Sequence, residues 1–308
     1  MRPRDRVRGQ QLHQALVEYG RDIRRLAGLN TVPCRTAFVE QLLESIHRVE
    51  YVQRLAERDI SPNRADPNSD LFDPLKGAII QVRNGQIDEA FWLVFLSVHF
   101  GKNLRTGWLL TREIYGMLGA GNRWDWARTS TEPDTFRTWL AENRNRIRGR
   151  FGNHRKYASL DPDSGTGTAA VIGSYVRWIQ PPRTHETFIV ECQQRVGHDR
   201  RILFQHLYDS LNAVTYFGRM AKFDFLTMLG KLNLAPIEPG SIYMDGATGP
   251  FTGARLLFGG TKDAPIARSM LDPWCVQLGA QLDVGMQVLE DALCNWQKSP
   301  NKFIPFRG

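Results

Sequence analysis

Asp88-Glu89-Ala90-Phe91-Trp92-Leu93-Val94-Phe95-Leu96-Ser97-Val98 is the stretch on which the fold turns. The run from Phe91 to Val98 suits a buried strand as well as a buried helix, because periodicity alone cannot separate the two. Two neighbouring signals decide. Asp88 and Glu89 fit the first turn of a helix, where the dipole favours negative charge. The following segment, 104 to 118, keeps an apolar period of a helix. A central buried helix within a helical bundle is the expectation.

Working outward, residues 9 to 27 carry Leu12, Leu16, Val17, Ile23 and Leu26 at helical spacing. Residues 36 to 58 do the same with Phe38, Leu42, Ile46, Val49 and Leu55. The Pro-, Asn- and Asp-rich segment 61 to 74 reads as a loop. Further helices are predicted over 134–148, 169–179, 185–196, 199–217 and 219–232, with one long helix over 272–296. Pro181-Pro182 and Pro236, Pro239 and Gly240 punctuate them. Scarce strand alternation makes the chain all-α and argues against a Rossmann or barrel fold. The expected organisation is one helical unit over 1–308 with room for two lobes around a cleft. Residues 1–35 form a basic N-terminal helical extension, and 241–297 hold a turn motif and the C-terminal helix.

The 308 residues carry a net charge of +8, and 32 of the 40 basic residues are arginines. Arginine grips phosphates and base edges with a planar fork, so nucleic acid is a natural partner; a small acidic substrate fits the charge as well. Four dispersed cysteines, Cys34, Cys192, Cys275 and Cys294, make no CxxC pair, and seven histidines make no HExxH. Neither a metal nor a cofactor is expected, and the thiols suit a reducing compartment. The Arg-rich start lacks the apolar run of a signal peptide, and no stretch reaches membrane-spanning length without charges. A cytoplasmic monomer without membrane association is the expectation.

Gly246-Ala247-Thr248-Gly249-Pro250-Phe251-Thr252-Gly253 has the chemistry of a turn opening into a helix. Thr248 is the expected cap and Pro250 suits the first turn. The exposed amides of such a terminus can seat a phosphate, which makes Thr248, Gly249, Thr252 and Gly253 candidates for the DNA backbone. Ser164-Gly165-Thr166-Gly167-Thr168 is a second glycine-loosened, hydroxyl-capped start, without the lysine of a nucleotide P-loop.

A basic band, Arg144, Arg146, Arg148, Arg150, Arg155 and Lys156, runs through Phe151-Gly152-Asn153-His154-Arg155-Lys156-Tyr157. Asn153 and His154 can present donors and acceptors to a pyrimidine edge. His99 follows the central helix, with Lys102 and Arg105 just beyond as phosphate contacts. Tyr157, Trp124 and Phe217 are stacking candidates or core. Arg155, Lys156, Arg219 and Lys222 can hold phosphates; Asp224 is a base-contact candidate or an ordinary helix residue.

Two resemblances follow. Gly249-Pro250-Phe251-Thr252-Gly253-Ala254 resembles the second half of the hairpin of helix-hairpin-helix DNA glycosylases, and Leu271-Asp272 resembles the segment bearing their catalytic aspartate. The chain also resembles the alpha-glutamyl/putrescinyl thymine pyrophosphorylases, helical proteins associated with hypermodified pyrimidines in phage DNA. That resemblance rests on Asp88 to Leu96, His99-Phe100-Gly101, Phe151 to Tyr157, Phe217-Gly218-Arg219, Lys222-Phe223-Asp224 and the Thr-Gly-Pro segment.

Together they imply a helix-hairpin-helix glycosylase-like fold and double-stranded DNA with modified pyrimidines as partner. The leading expectation is a glycosylase that flips out a base such as a glycosylated hydroxymethylcytosine and hydrolyses its N-glycosidic bond. Asp272, then Asp245, would stabilise the sugar cation or activate water. The alternatives are a transferase displacing pyrophosphate from modified hydroxymethyluracil with an amino acid or polyamine, and a noncatalytic DNA-binding module.

Overall fold

The run that opened the sequence reading is a helix because every one of its faces finds apolar cover. Trp92, Leu93, Val94 and Phe95 are fully buried side by side, as befits a helix packed on all sides by other elements. The computed structural model describes residues 2–155 and 158–305, apart from the side chain of Asn153. Its described residues form helices and connecting turns, with no strand.

In chain order the helices are α1 (Arg6–Asp22), α2 (Val32–Leu55), α3 (Pro74–Arg83), α4 (Ile87–Phe100), α5 (Leu109–Tyr115), α6 (Trp126–Thr131) and α7 (Pro133–Asn143). They continue as α8 (Thr168–Ile179), α9 (His185–Val196), α10 (Arg200–Ser210), α11 (Arg219–Lys231), α12 (Gly249–Gly259), α13 (Arg268–Leu282) and α14 (Met286–Trp296). Among the described residues, no helix is long and apolar enough to cross a membrane. The chain divides into two compact units, one running from Arg54 to Glu238 and the other combining the residues before and after it.

In the unit formed by the two ends of the chain, Leu12, Leu16 and Tyr19 of α1 share a core with Phe38 and Leu42 of α2. Leu257 of α12, Leu278 of α13, and Leu289 and Trp296 of α14 complete it. Small residues set the helix spacing. A Cβ on Gly249 would stand 2.5 Å from Cys294 Sγ, and one on Gly253 would run into the Leu293 carbonyl. The glycines of the Thr-Gly-Pro motif therefore let α12 lie directly on α14.

Three details of this unit differ from the sequence reading. Thr248 precedes α12 but its hydroxyl makes no cap; the hydroxyl of Thr252 donates instead to the Thr248 carbonyl, at 2.9 Å. The long helix expected over 272–296 is two helices, α13 and α14. They separate where Asp283 turns left-handed at φ 48° and Gly285 begins the next helix. Asp272 accordingly sits one turn inside α13 rather than at a helix start.

In the central unit α4 is the axis. Phe95 stacks on Tyr175 of α8 at 3.8 Å and on Phe217 at 5.4 Å, while the indole of Trp92 donates to the Trp124 carbonyl. The acidic first turn does more than offset a dipole. Asp88 accepts hydrogen bonds from the His185 amide and from Nδ1 of its ring, which pins the start of α9. Glu89 accepts from the Tyr115 hydroxyl at 2.6 Å and from the Trp126 amide at 2.7 Å. Burial raises the Glu89 carboxyl to about 7 against the lowering effect of those bonds.

The helix expected over 104–118 is confined to α5. Before it, Asn103 and Gly107 exchange two backbone hydrogen bonds and close a tight turn. Helix α7 stops at Asn143, short of the expected 148. The helix expected over 199–217 ends at Ser210 and passes into a short 3-10 turn, Leu211–Ala213. The loop over 61–74 holds one short turn, Pro62–Arg64.

Candidate active site

Helix α4 ends in His99-Phe100-Gly101, and that end is where the distinctive strings of the sequence meet. Gly101 adopts φ 66°, and the amide of Gly152 donates to the Phe100 carbonyl at 2.8 Å. The two glycines touch: a Cβ on Gly152 would stand 2.9 Å from the Gly101 carbonyl carbon. The side chain of Asn103 also donates to the Phe151 carbonyl, at 2.9 Å. These contacts lay Phe151 to Arg155 across the end of α4.

His99 is buried and held by Thr168 of α8. The Thr168 hydroxyl donates to the Ser159 carbonyl, so its oxygen accepts from Nε2 of His99 at 3.1 Å. That bond fixes the tautomer with the proton on Nε2. Burial, helped by the charge of Arg155, holds the ring down at about 3, so it is neutral at physiological pH. Thr168 thus works sideways, bridging α8 to α4, and makes none of the capping bonds its sequence position suggests; Gly167 occupies the cap.

Arg155 lies beside this histidine. Its Nε donates to the Val98 carbonyl at 2.9 Å. Burial lowers its pKa, while the charges of Asp224 and Tyr216 oppose the fall. Asp224 comes from α11, whose start is fixed by Phe217 packing on Phe95. The neighbours Phe223 and Phe225 are buried, but Asp224 itself is open to solvent.

Its carboxyl is nevertheless raised above the usual carboxylate range, first by desolvation, against the lowering charges of Arg155, Lys231, Arg219 and His154. Among the described residues no donor is hydrogen-bonded to this carboxylate; the bond from Thr227 goes to its backbone oxygen. Tyr216 borders the same place, 49 % exposed and left-handed at φ 55°. Backbone strain of that kind in a non-glycine residue tends to mark functional positions.

Among the described residues the site is therefore one acid among four basic side chains, drawn largely from the strings quoted above. A family model described as alpha-glutamyl/putrescinyl thymine pyrophosphorylase clade 3 matches residues 34–308. The chain belongs to that family. The family is named for an enzymatic activity on thymine. Comparison with curated proteins and with solved structures found no match.

The other candidates from the sequence sit elsewhere or are engaged. Lys222 is buried, with its ammonium on Asn212 Oδ1 and 4.9 Å from the Tyr208 ring centroid. Lys102 and Arg105 are exposed on the turn after α4. Asn153's side chain, Lys156 and Tyr157 lie outside the described residues. Trp124 is core, packed on Phe136 and Trp139. Much of the basic band is paired: Arg144 with Asp161, and Arg148 with the buried Glu113.

Thr248, Gly249, Thr252 and Gly253 belong to the other unit, as do Asp245 and Asp272. Asp245 is exposed on its turn. Asp272 is engaged by three donors, the Ser241 hydroxyl and the amides of Ile242 and Met244, at 3.2 to 3.4 Å. It ties the segment before α12 to α13.

The sequence reading missed Lys231 and Tyr216. Lys231 lies seven residues after Asp224, two turns along the same face of α11, so helical spacing could have found it. Tyr216 left no such trace, since its prominence comes from backbone geometry.

Proposed function

We propose that the protein transfers an amine onto a pyrimidine of DNA whose 5-hydroxymethyl group carries pyrophosphate, with Asp224 as the base. The observation that carries this reading is the raised carboxyl of Asp224 among Arg155, Lys231, Arg219 and His154. The amine nitrogen attacks the methylene carbon and the carbon–oxygen bond to pyrophosphate breaks. Pyrophosphate leaves with the electron pair, and the proton of the amine passes to Asp224. Cations gathered over a leaving polyanion stabilise the charge that develops there. A carboxylate with a raised pKa is a better proton acceptor near neutral pH than an ordinary one. The net charge of +8 supports DNA as the carrier of the base.

Base removal by hydrolysis, the leading expectation from sequence, used Asp272. Three donors already engage that carboxylate, which leaves it less negative toward a sugar cation. The balance therefore favours transfer. The test is incubation of the protein with DNA bearing the pyrophosphorylated base and either glutamate or putrescine, followed by mass spectrometry of nucleosides and assay of pyrophosphate. Transfer yields a heavier nucleoside with matching pyrophosphate. Free base and abasic DNA would replace it by hydrolysis, and salt-sensitive binding without product would leave a binding module.

A further inference from the structure

The turn after α4 carries a feature that the reaction at Asp224 does not use. Lys102, Leu104 and Arg105 all project into solvent, and Leu104 is 63 % exposed. A single exposed leucine is ordinary on a protein surface. This one is held in an unusual way. Asn103 and Gly107 exchange backbone hydrogen bonds at 3.0 and 2.9 Å beneath it, with Gly107 left-handed at φ 58°. The Asn103 carboxamide oxygen accepts from the amides of Arg105 and Thr106, and its nitrogen donates to the Phe151 carbonyl. Five bonds thus fix a turn of five residues, and its tip is apolar.

The same turn is joined to the reaction centre. It begins at Gly101, which rests on Gly152, and Gly152 leads directly to His154 and Arg155. A rigid apolar tip with a cation on either side, joined through the Gly101–Gly152 contact to the stretch of chain that carries Arg155 beside Asp224, matches what a duplex requires when a nucleotide leaves the stack. Unstacking is unfavourable, and an inserted apolar side chain fills the gap while flanking cations hold the phosphates.

We propose that Leu104 is the side chain that enters the duplex where the target pyrimidine leaves it, with Lys102 and Arg105 on the adjoining phosphates. Leu104 is then a positioning residue. The inference rests on DNA as substrate and not on which bond is made or broken at Asp224.

The test uses full-length protein in a D224N background and a duplex with 2-aminopurine beside the target base, whose fluorescence rises when its neighbour unstacks. Leu104 is expected to give the rise, and L104A to lower it at least about fivefold, with L104M restoring most of it. In the active protein, L104A should reduce the ratio of duplex to single-strand turnover by about tenfold. Unchanged fluorescence together with an unchanged ratio would overturn the proposal. An equal loss on both substrates would do the same, because it indicates damage to the fold, which thermal melting would register independently. Fluorescence that depends on Leu104, when the protein with Asp224 intact makes no transfer product, would uphold the wedge and refute the reaction. If the duplex evokes no fluorescence even with Leu104, the wedge falls; a heavier nucleoside from single strands would then still uphold the reaction.

Discussion

Gly152 rests on Gly101 with no room between them for a methyl group. The contact is backbone on backbone, and the Gly152 amide is bonded to the Phe100 carbonyl. Neither partner can swing aside as a flexible side chain would, so the crossing sets where Arg155 emerges.

Gly152→Ala should therefore cost about 2 kcal/mol in chemical denaturation and, by displacing Arg155, about 100-fold in turnover. Gly218→Ala is the control. A Cβ there meets nothing within 4 Å, although the residue directly precedes α11. Equal behaviour of the two variants would refute a role for the crossing.

Asp224 must be ionised to accept a proton. Since desolvation raises its pKa, activity should climb with pH through a limb lying above the ordinary carboxylate range and fall as acid protonates it. The same shift means that the folded state prefers the protonated form, so ionisation at neutral pH opposes folding. Asp224→Asn is expected to remove the acidic limb along with the activity and to raise the melting temperature at neutral pH. A lower melting temperature would show that the carboxylate is a structural anchor.

Glu89 provides a second pH signature, remote from catalysis. Its carboxyl is raised from 4.5 to about 7, so its stabilising contribution is complete below the lower value and is lost as pH rises through the upper one. The loss should total on the order of 3 kcal/mol. Glu89→Gln should abolish this slope between those limits, at a cost of about 1 kcal/mol for the acceptor removed from Tyr115 or Trp126. Parallel stability profiles for the two proteins would contradict the assignment.

In the other unit, Gly253→Ala should separate α12 from α14, because its Cβ meets the carbonyl of Leu293. A loss of about 3 kcal/mol in urea unfolding is expected. Gly285→Ala, where nothing lies within 4 Å, should be nearly neutral.

The helical plan was legible wherever apolar period and end signals agreed. Helices α8 and α9 begin and end within a residue of where the pattern places them, bracketed by Gly167 and by Thr184, whose hydroxyl caps α9. The break between α13 and α14 was not legible, since Leu278, Leu282, Val288 and Leu289 keep one apolar stripe across it. Only the left-handed Asp283 divides them. For the site, the strings were visible but their meeting was not. No spacing along the chain reveals that Arg155 stands near both His99 and Asp224, or that Asp224 is desolvated while Asp272 is satisfied by three donors. Those are properties of tertiary packing.

Asp224 is the proposed centre of the reaction. Its most direct test is the turnover number of D224N and D272N on the same modified DNA, with product identified by mass and DNA binding measured in parallel. We expect D224N to lose about 1000-fold in turnover while still binding DNA. D272N should lose about 2 kcal/mol of stability and less than about tenfold in turnover. The reverse pattern, with D224N active and D272N folded but inert, would contradict the account.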